Sequence, residues 1–144
     1  MVFIPVIRRQ RKFQFKVADI MNTPPITIHY SASVFDVAKL MFDKWVGSVM
    51  VVDDNGRLVG IITERDLVKT MAIGKLSKDL TAKSIMTEKP ITILPDALVY
   101  DALKKMRNYN VRHLPVVNGE NRPLGMISAR DLLDAVLMFT EIFM

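Results

Sequence analysis

The chain of 144 residues is 50% hydrophobic and 24% charged, a balance that supports one ordinary globular domain or two very small ones sharing a core. It has no cysteine, which excludes disulfides, zinc–thiolate sites and thiol catalysis, and its two histidines, His29 and His113, stand far apart in sequence, which argues against a transition-metal site. The net charge of +5 is local: five of the 20 basic residues (Arg8, Arg9, Arg11, Lys12, Lys16) lie in residues 1–16 with no acid, and the other 15 match the 15 acidic residues.

Residues 1–16 form a basic and aromatic N-terminal arm. Within it, "RRQRKFQFK" interleaves cations with rings, a pattern that can hold phosphates and stack bases. Residues 8–16 are therefore a candidate nucleic-acid contact. The alternation Phe13, Phe15, Val17 is also that of a half-buried edge strand or packing arm with its basic residues outward, and this reading leads. The opening places its apolar stretch before the basic one, which is not the order of a secretory signal. No apolar run approaches the ~20 residues needed to cross a bilayer. A cytoplasmic protein without membrane contact is the expectation.

Beyond the arm the chain repeats itself. Residue n falls on residue n + 65 without a gap from Val17 to Val68, with about twenty identities in some fifty pairs, a strong internal repeat. "IMNTPPITI" (20–28) falls on "IMTEKPITI" (85–93), and "VGSVMVV" (46–52) on "VRHLPVV" (111–117). Each copy opens with a β-branched strand, "PITI". A helix follows, on which Val34, Val37, Leu40, Met41 and Trp45, or Val99, Ala102, Leu103 and Met106, recur at helical spacing. Two strands joined by a turn ("DDNG" or "NGEN") come next, then a closing helix. Unit 1 spans 17–74, a linker 75–81, and unit 2 spans 82–144. Gly74 is placed to stop the helix before the linker. The tail "DLLDAVLMFTEIFM" is apolar nearly all round, which a terminal helix of so small a protein cannot bury within its own chain; it points to a homodimer or to docking on another protein. The ten methionines fall mostly on apolar positions and read as core filling.

A unit of about 50 residues buries too little surface to stand alone. The expected architecture is α/β (α+β): two β-α-β-β-α units packed sheet to sheet about a pseudo-two-fold axis. Any cleft at that axis would exist in two related versions.

Each copy ends its hairpin on the same octapeptide, "GIITERDL" (60–67) and "GMISARDL" (125–132). Thr63 followed by Asp66, and Ser128 followed by Asp131, fit a capping box that starts the closing helix. On the octapeptides alone this reading leads, with Gly60 and Gly125 relaxing the strand.

The duplication, "IM…PITI", "LPVV" and the glycine–hydroxyl–aspartate ending together resemble the cystathionine-β-synthase (CBS) domain family arranged as a tandem pair, a Bateman module. The resemblance covers about residues 17–136. It implies two clefts between the units, each suited to an adenosine compound: AMP, ADP, ATP or S-adenosylmethionine. The octapeptide aspartate would take the ribose hydroxyls, with the Thr or Ser hydroxyl beside it. One cleft would join Thr63 and Asp66 to Ile91, Thr92, Val111, Arg112, His113 and Pro115. The other would join Ser128 and Asp131 to Ile26, Thr27, Val46, Gly47 and Ser48. Because Arg112 and His113 in one copy stand where Gly47 and Ser48 stand in the other, phosphorylated ligands are expected in the Asp66 cleft, and weaker binding or a less charged adenosine in the Asp131 cleft. Arg65 and Arg130 read first as solvated or locally paired cations.

The implied function is a non-catalytic sensor, with the adenine nucleotide as a regulatory ligand rather than a cofactor, signalling to an unidentified regulated protein. No Ser–His pairing, carboxylate pair or metal set in the sequence supports catalysis. A structural interaction module with empty clefts, and a nucleic-acid-binding regulator using the arm, remain the alternatives.

Overall fold

A computed structural model describes residues 15–143. The arm's candidate nucleic-acid contact lies outside these residues except for Phe15 and Lys16. At that point the alternation holds: Phe15 packs on the core, Lys16 is exposed and Val17 is fully buried.

Unit 1 runs through a short helix α1 (Val17–Ile20), strand β1 (Thr27–His29), helix α2 (Val34–Lys44), strands β2 (Ser48–Val52) and β3 (Leu58–Thr63), and helix α3 (Glu64–Ala72). Unit 2 runs through α4 (Ala82–Ile85), β4 (Thr87–Glu88, which pairs with β3 and is not the counterpart of β1), α5 (Val99–Tyr109), β5 (His113–Val117), β6 (Pro123–Ser128) and α6 (Ala129–Phe143). Ser33 caps α2, its hydroxyl accepting from the Asp36 amide at 3.0 Å. Helix α3 ends at Ala72, and Gly74 beyond it takes φ 72°, the left-handed conformation that stops a helix.

The two hairpins are built alike. Asp53 Oδ1 accepts from the Asn55 and Arg57 amides, and Asn118 Oδ1 from those of Glu120 and Arg122. Gly56 and Asn121 supply the left-handed residue of each turn, at φ 75° and 61°. The hairpins also meet across the pseudo-axis: Leu58 N–H donates to the Asn121 carbonyl, and Asn121 Nδ2 donates back to the Leu58 carbonyl, both at 2.9 Å. Met50, Leu58 and Val117, packed with Met126, form the small apolar cluster between the sheets.

One feature of the fold is absent from the periodicity. The short helices α1 and α4 precede each unit in sequence but pack on the other one. Val17 is buried with Ile93, Val99, Leu114 and Leu132 of unit 2, and its amide donates to the Ala97 carbonyl at 2.8 Å. Reciprocally, Ala82 is buried with Val37, Val49 and Ile62 of unit 1, its amide donating to the Ala32 carbonyl at 2.8 Å. The exchange explains both octapeptide glycines. A Cβ on Gly60 would run into the Met86 side chain, and a Cβ on Gly125 would stand 2.6 Å from the Asn22 carbonyl oxygen and 2.9 Å from Met21 Sδ. These glycines admit the crossing segments; they do not serve to relax the strand.

The "PITI" strands differ. In unit 1, β1 pairs in parallel with β2 over three residues, in a sheet ordered β1-β2-β3-β4. In unit 2 the expected strand shrinks to one bridge, Ile93 to Val116, and β5-β6 stand as a pair. Prolines are the cause. Tyr30 N–H donates to Val52 and Met50 N–H to Ile26, while their counterparts Pro95 and Pro115 have no N–H to donate. The two bonds that unit 2 keeps, from Ile93 and Val117, are those that need neither proline amide.

Two helix-face expectations also change. Val34, Val37 and Met41 are buried and Leu40 packs beside them, but Trp45 is 94% exposed at the left-handed end of α2. In unit 2, Val99, Ala102 and Met106 are buried, whereas Leu103 is exposed.

Candidate functional site

Where β3 ends, the Thr63 and Asp66 side chains form the expected capping box. Asp66 Oδ2 accepts from the Thr63 amide at 2.8 Å and the Thr63 hydroxyl at 3.2 Å. At the end of β6, Asp131 Oδ2 accepts from the Ser128 amide at 2.7 Å and hydroxyl at 2.9 Å. Asn22, on the exchanged segment, adds a third bond to Asp131 Oδ2 at 2.9 Å. In both boxes the bonds gather on Oδ2; among the described residues none reaches Oδ1. Each acid is thus fixed at a helix start with one oxygen left for a ligand.

Both acids open onto clefts. The Asp131 cleft encloses about 870 Å³ and the Asp66 cleft about 790 Å³. Of the residues expected with Asp131, the structure brings Ser128, Ile26, Val46, Gly47 and Ser48 to its cleft. Of those expected with Asp66, it brings Thr63, Ile91, Val111, Arg112 and His113. Thr27, Thr92 and Pro115 do not line the clefts. Thr27 and Thr92 each follow the apolar residue that does, and successive side chains of an extended segment face opposite ways. Pro115 is buried within β5, opposite Met126.

Arg112 and His113 line both clefts, as does Gly47. Their assignment to the Asp66 cleft alone does not hold. The 65-residue offset places Arg112 opposite Gly47, and both sit at the pseudo-axis, where a long side chain reaches either side. His113 Nε2 and Glu64 Oε1 each lie 3.6 Å from where a Cβ on Gly47 would stand, so imidazole and carboxylate flank the same glycine. Burial lowers the His113 pKa from its ordinary value, against the pull of Glu64 on one side and Asp131 on the other, with Arg112 adding to the lowering.

Other lining residues escaped the sequence reading. The exchanged segments supply Asn22, Thr23 and Pro24 to one cleft and Thr87, Lys89 and Pro90 to the other. The ends of α2 and α5 supply Lys44 with Trp45, and Asn110. The repeated signal that marks the exchange is a methionine before each segment (Met21, Met86) matched by a glycine (Gly125, Gly60). Arg65 lines the Asp66 cleft and Arg130 the Asp131 cleft. Among the described residues neither forms an ion pair, which removes local pairing as the reason for either. The same residues contain no cluster of three metal-ligating side chains, and no helix long and apolar enough to cross a membrane.

A family model for the CBS domain matches residues 17–73 and again 82–138. Among solved structures, the CBS domain pair of protein MJ0100, in complex with 5′-methylthioadenosine and S-adenosyl-L-methionine, superposes with a TM-score of 0.82 at 34% identity, covering 87% of this chain and 98% of that one. The CBS domain protein PAE2072 from Pyrobaculum aerophilum, complexed with AMP, gives a TM-score of 0.79 at 29% identity, covering 88% and 99%. A homoserine O-acetyltransferase of Methanococcoides burtonii is 39% identical over 116 residues, and an L-aspartate semialdehyde sulfurtransferase of Methanocaldococcus jannaschii is 36% identical over the same length. Each match takes in 81% of this chain, which spans less than a quarter of either enzyme: 23% of the first and 22% of the second. Sequence match, repeat and superposition agree: the chain belongs to the CBS domain family and carries two CBS domains in tandem.

Proposed function

We propose that the chain is a sensor of adenosine-containing ligands, binding AMP, ADP, ATP or S-adenosylmethionine between its two CBS domains without turning them over. The observation that carries this reading is the pair of clefts, each with an aspartate whose internal hydrogen bonds fall on a single oxygen. A free carboxylate oxygen facing vicinal ribose hydroxyls forms charge-assisted bonds, which are stronger than neutral ones. The apolar walls Ile26 and Val46, or Ile91 and Val111, suit a purine. Solved relatives bound to AMP, 5′-methylthioadenosine and S-adenosyl-L-methionine support the ligand class.

A ligand in either cleft touches both domains, so it favours whichever domain arrangement it fits better. The size of any switch equals its difference in affinity for the two arrangements. The reader of that switch is a regulated protein or a second copy of this chain. Val68 on α3 and its repeat counterpart Leu133 on α6 are 67% and 61% exposed, joined by Met71 and Leu137, so the closing helices present apolar surface on matching faces. This favours a homodimer. Thermal unfolding with and without each nucleotide tests the ligand reading: binding to the folded state raises the melting temperature, and no rise with any adenosine compound leaves only an interaction module.

A further inference from the structure

The two clefts share one guanidinium and one imidazole but are not electrostatically equal. The closing helix begins with Glu64 in the Asp66 cleft and with Ala129 in the Asp131 cleft, at equivalent positions of the repeat. Arg112 is common to both clefts, and Arg65 and Arg130 are counterparts. Of the lining groups left over, the Asp66 cleft has Lys89 and Glu64, which offset each other. The Asp131 cleft has Lys44 with no second carboxylate. The Glu64 carboxylate flanks Gly47 beside His113, at the wall between the clefts, and no cation of the described residues pairs with it.

We infer that Glu64 sorts ligands by charge: it turns phosphorylated adenosine away from the Asp66 cleft, which takes adenosine compounds without phosphate, and leaves the Asp131 cleft as the nucleotide site. The inference rests on the adenosine reading above and adds the assignment of ligand class to cleft. A phosphate entering the Asp66 cleft meets Arg65, Lys89 and Arg112 set against two carboxylates, Glu64 and Asp66, so the cation excess there is smaller by one charge and Glu64 adds a like-charge repulsion that the other cleft lacks. A phosphate entering the Asp131 cleft meets Lys44, Arg112 and Arg130 with only the ribose-facing acid to oppose them. Because Arg112 serves both sides, a phosphate bound in the Asp131 cleft also withdraws that guanidinium from its neighbour. One nucleotide and one uncharged adenosine form the matched pair of occupants.

The chain carries its own reporter. Trp45 is its single tryptophan, is 94% exposed, and lines the Asp131 cleft but not the other. The test is a paired titration of the full chain with AMP and with 5′-methylthioadenosine, followed by calorimetry and by Trp45 emission. AMP is expected to fill a tight site that changes Trp45 emission and a silent site about tenfold weaker. 5′-Methylthioadenosine is expected to fill both sites with affinities within a few-fold. Glu64→Gln should bring the weak AMP site up toward the tight one and leave 5′-methylthioadenosine unchanged; Ala129→Glu should weaken the tight AMP site about tenfold. Both positions are exposed, and circular dichroism confirms the fold of each variant. A tight AMP site that leaves Trp45 silent, or a Glu64→Gln effect equal for both ligands, overturns the inference while the adenosine reading stands. Absence of binding to the unsubstituted chain, by heat and by melting temperature, with AMP, ADP, ATP, S-adenosylmethionine and 5′-methylthioadenosine alike sinks the adenosine reading and this inference together.

Discussion

On the sheet of unit 1 the amide of the exchanged Lys89 donates to the Val59 carbonyl and extends the sheet; on that of unit 2 the equivalent exchanged residue is Pro24, and the Thr23 hydroxyl donates to the Leu124 carbonyl instead, at 3.3 Å. Pro95 and Pro115 remove two further bonds from unit 2 in the same way. Three prolines thus account for a four-stranded sheet on one side and a two-stranded one on the other, while the buried positions stay in register. The clefts differ by a separate mechanism, through exposed side chains at Lys44–Trp45 against Tyr109–Asn110 and at Glu64 against Ala129. The duplicated fold tolerates lost ladder bonds because the cores do not depend on them. Its chemistry is free to diverge at Lys44, Trp45, Glu64 and Ala129, which are exposed and carry little of the packing.

The largest expected break of that symmetry is at the glycines. Gly125→Ala drives a methyl group against the Asn22 backbone carbonyl, which is itself hydrogen-bonded to Met126, and should cost about 3 kcal/mol. Gly60→Ala meets the Met86 side chain, which can turn aside, and should cost about half as much. Chemical denaturation of the two variants measures the difference; equal losses would mean that the crossing segments do not constrain the strands as described. Next in size, Ser128→Ala and Thr63→Ala each remove a cap at about 1 kcal/mol. The loss at Ser128 should be the smaller, because Asn22 still holds Asp131. Stability against pH comes third. The folded state binds the His113 proton less readily than the unfolded chain, so stability is lost as pH falls below about 6.5, and His113→Asn should flatten that loss. The smallest effect is at Pro95→Ala. It restores an amide where Tyr30 has one, and that new amide should exchange more slowly than an unprotected one, with a stability change within about 1 kcal/mol.

The repeat, the hairpin turns and both capping boxes were legible in the sequence because each depends on residues close together: Asp53 with Gly56, Thr63 with Asp66, Ser128 with Asp131. The reciprocal exchange of α1 and α4 was not. A four-residue segment such as "VADI" has the same pattern whichever core receives Val17, and the 65-residue offset is satisfied equally by packing within a unit or across. The family resemblance placed Arg112 and His113 in one cleft, and the repeat could not correct it. An offset assigns each residue one counterpart, whereas a residue at the pseudo-axis faces two sites. Thr27 and Thr92 stand one residue out of phase with the apolar side chains that line the clefts, so the expectation for them rests on their backbone groups alone.

The central claim is that the two octapeptide acids hold a ligand as well as a helix. Calorimetric titration of the full chain and of the Asp66→Asn, Asp131→Asn double variant with AMP and S-adenosylmethionine addresses it most directly, with melting curves to show that the variant is folded. The account predicts saturable binding by the unsubstituted chain and a loss of at least about tenfold in the variant. Equal affinity in both proteins, or no binding by the unsubstituted chain, would contradict it.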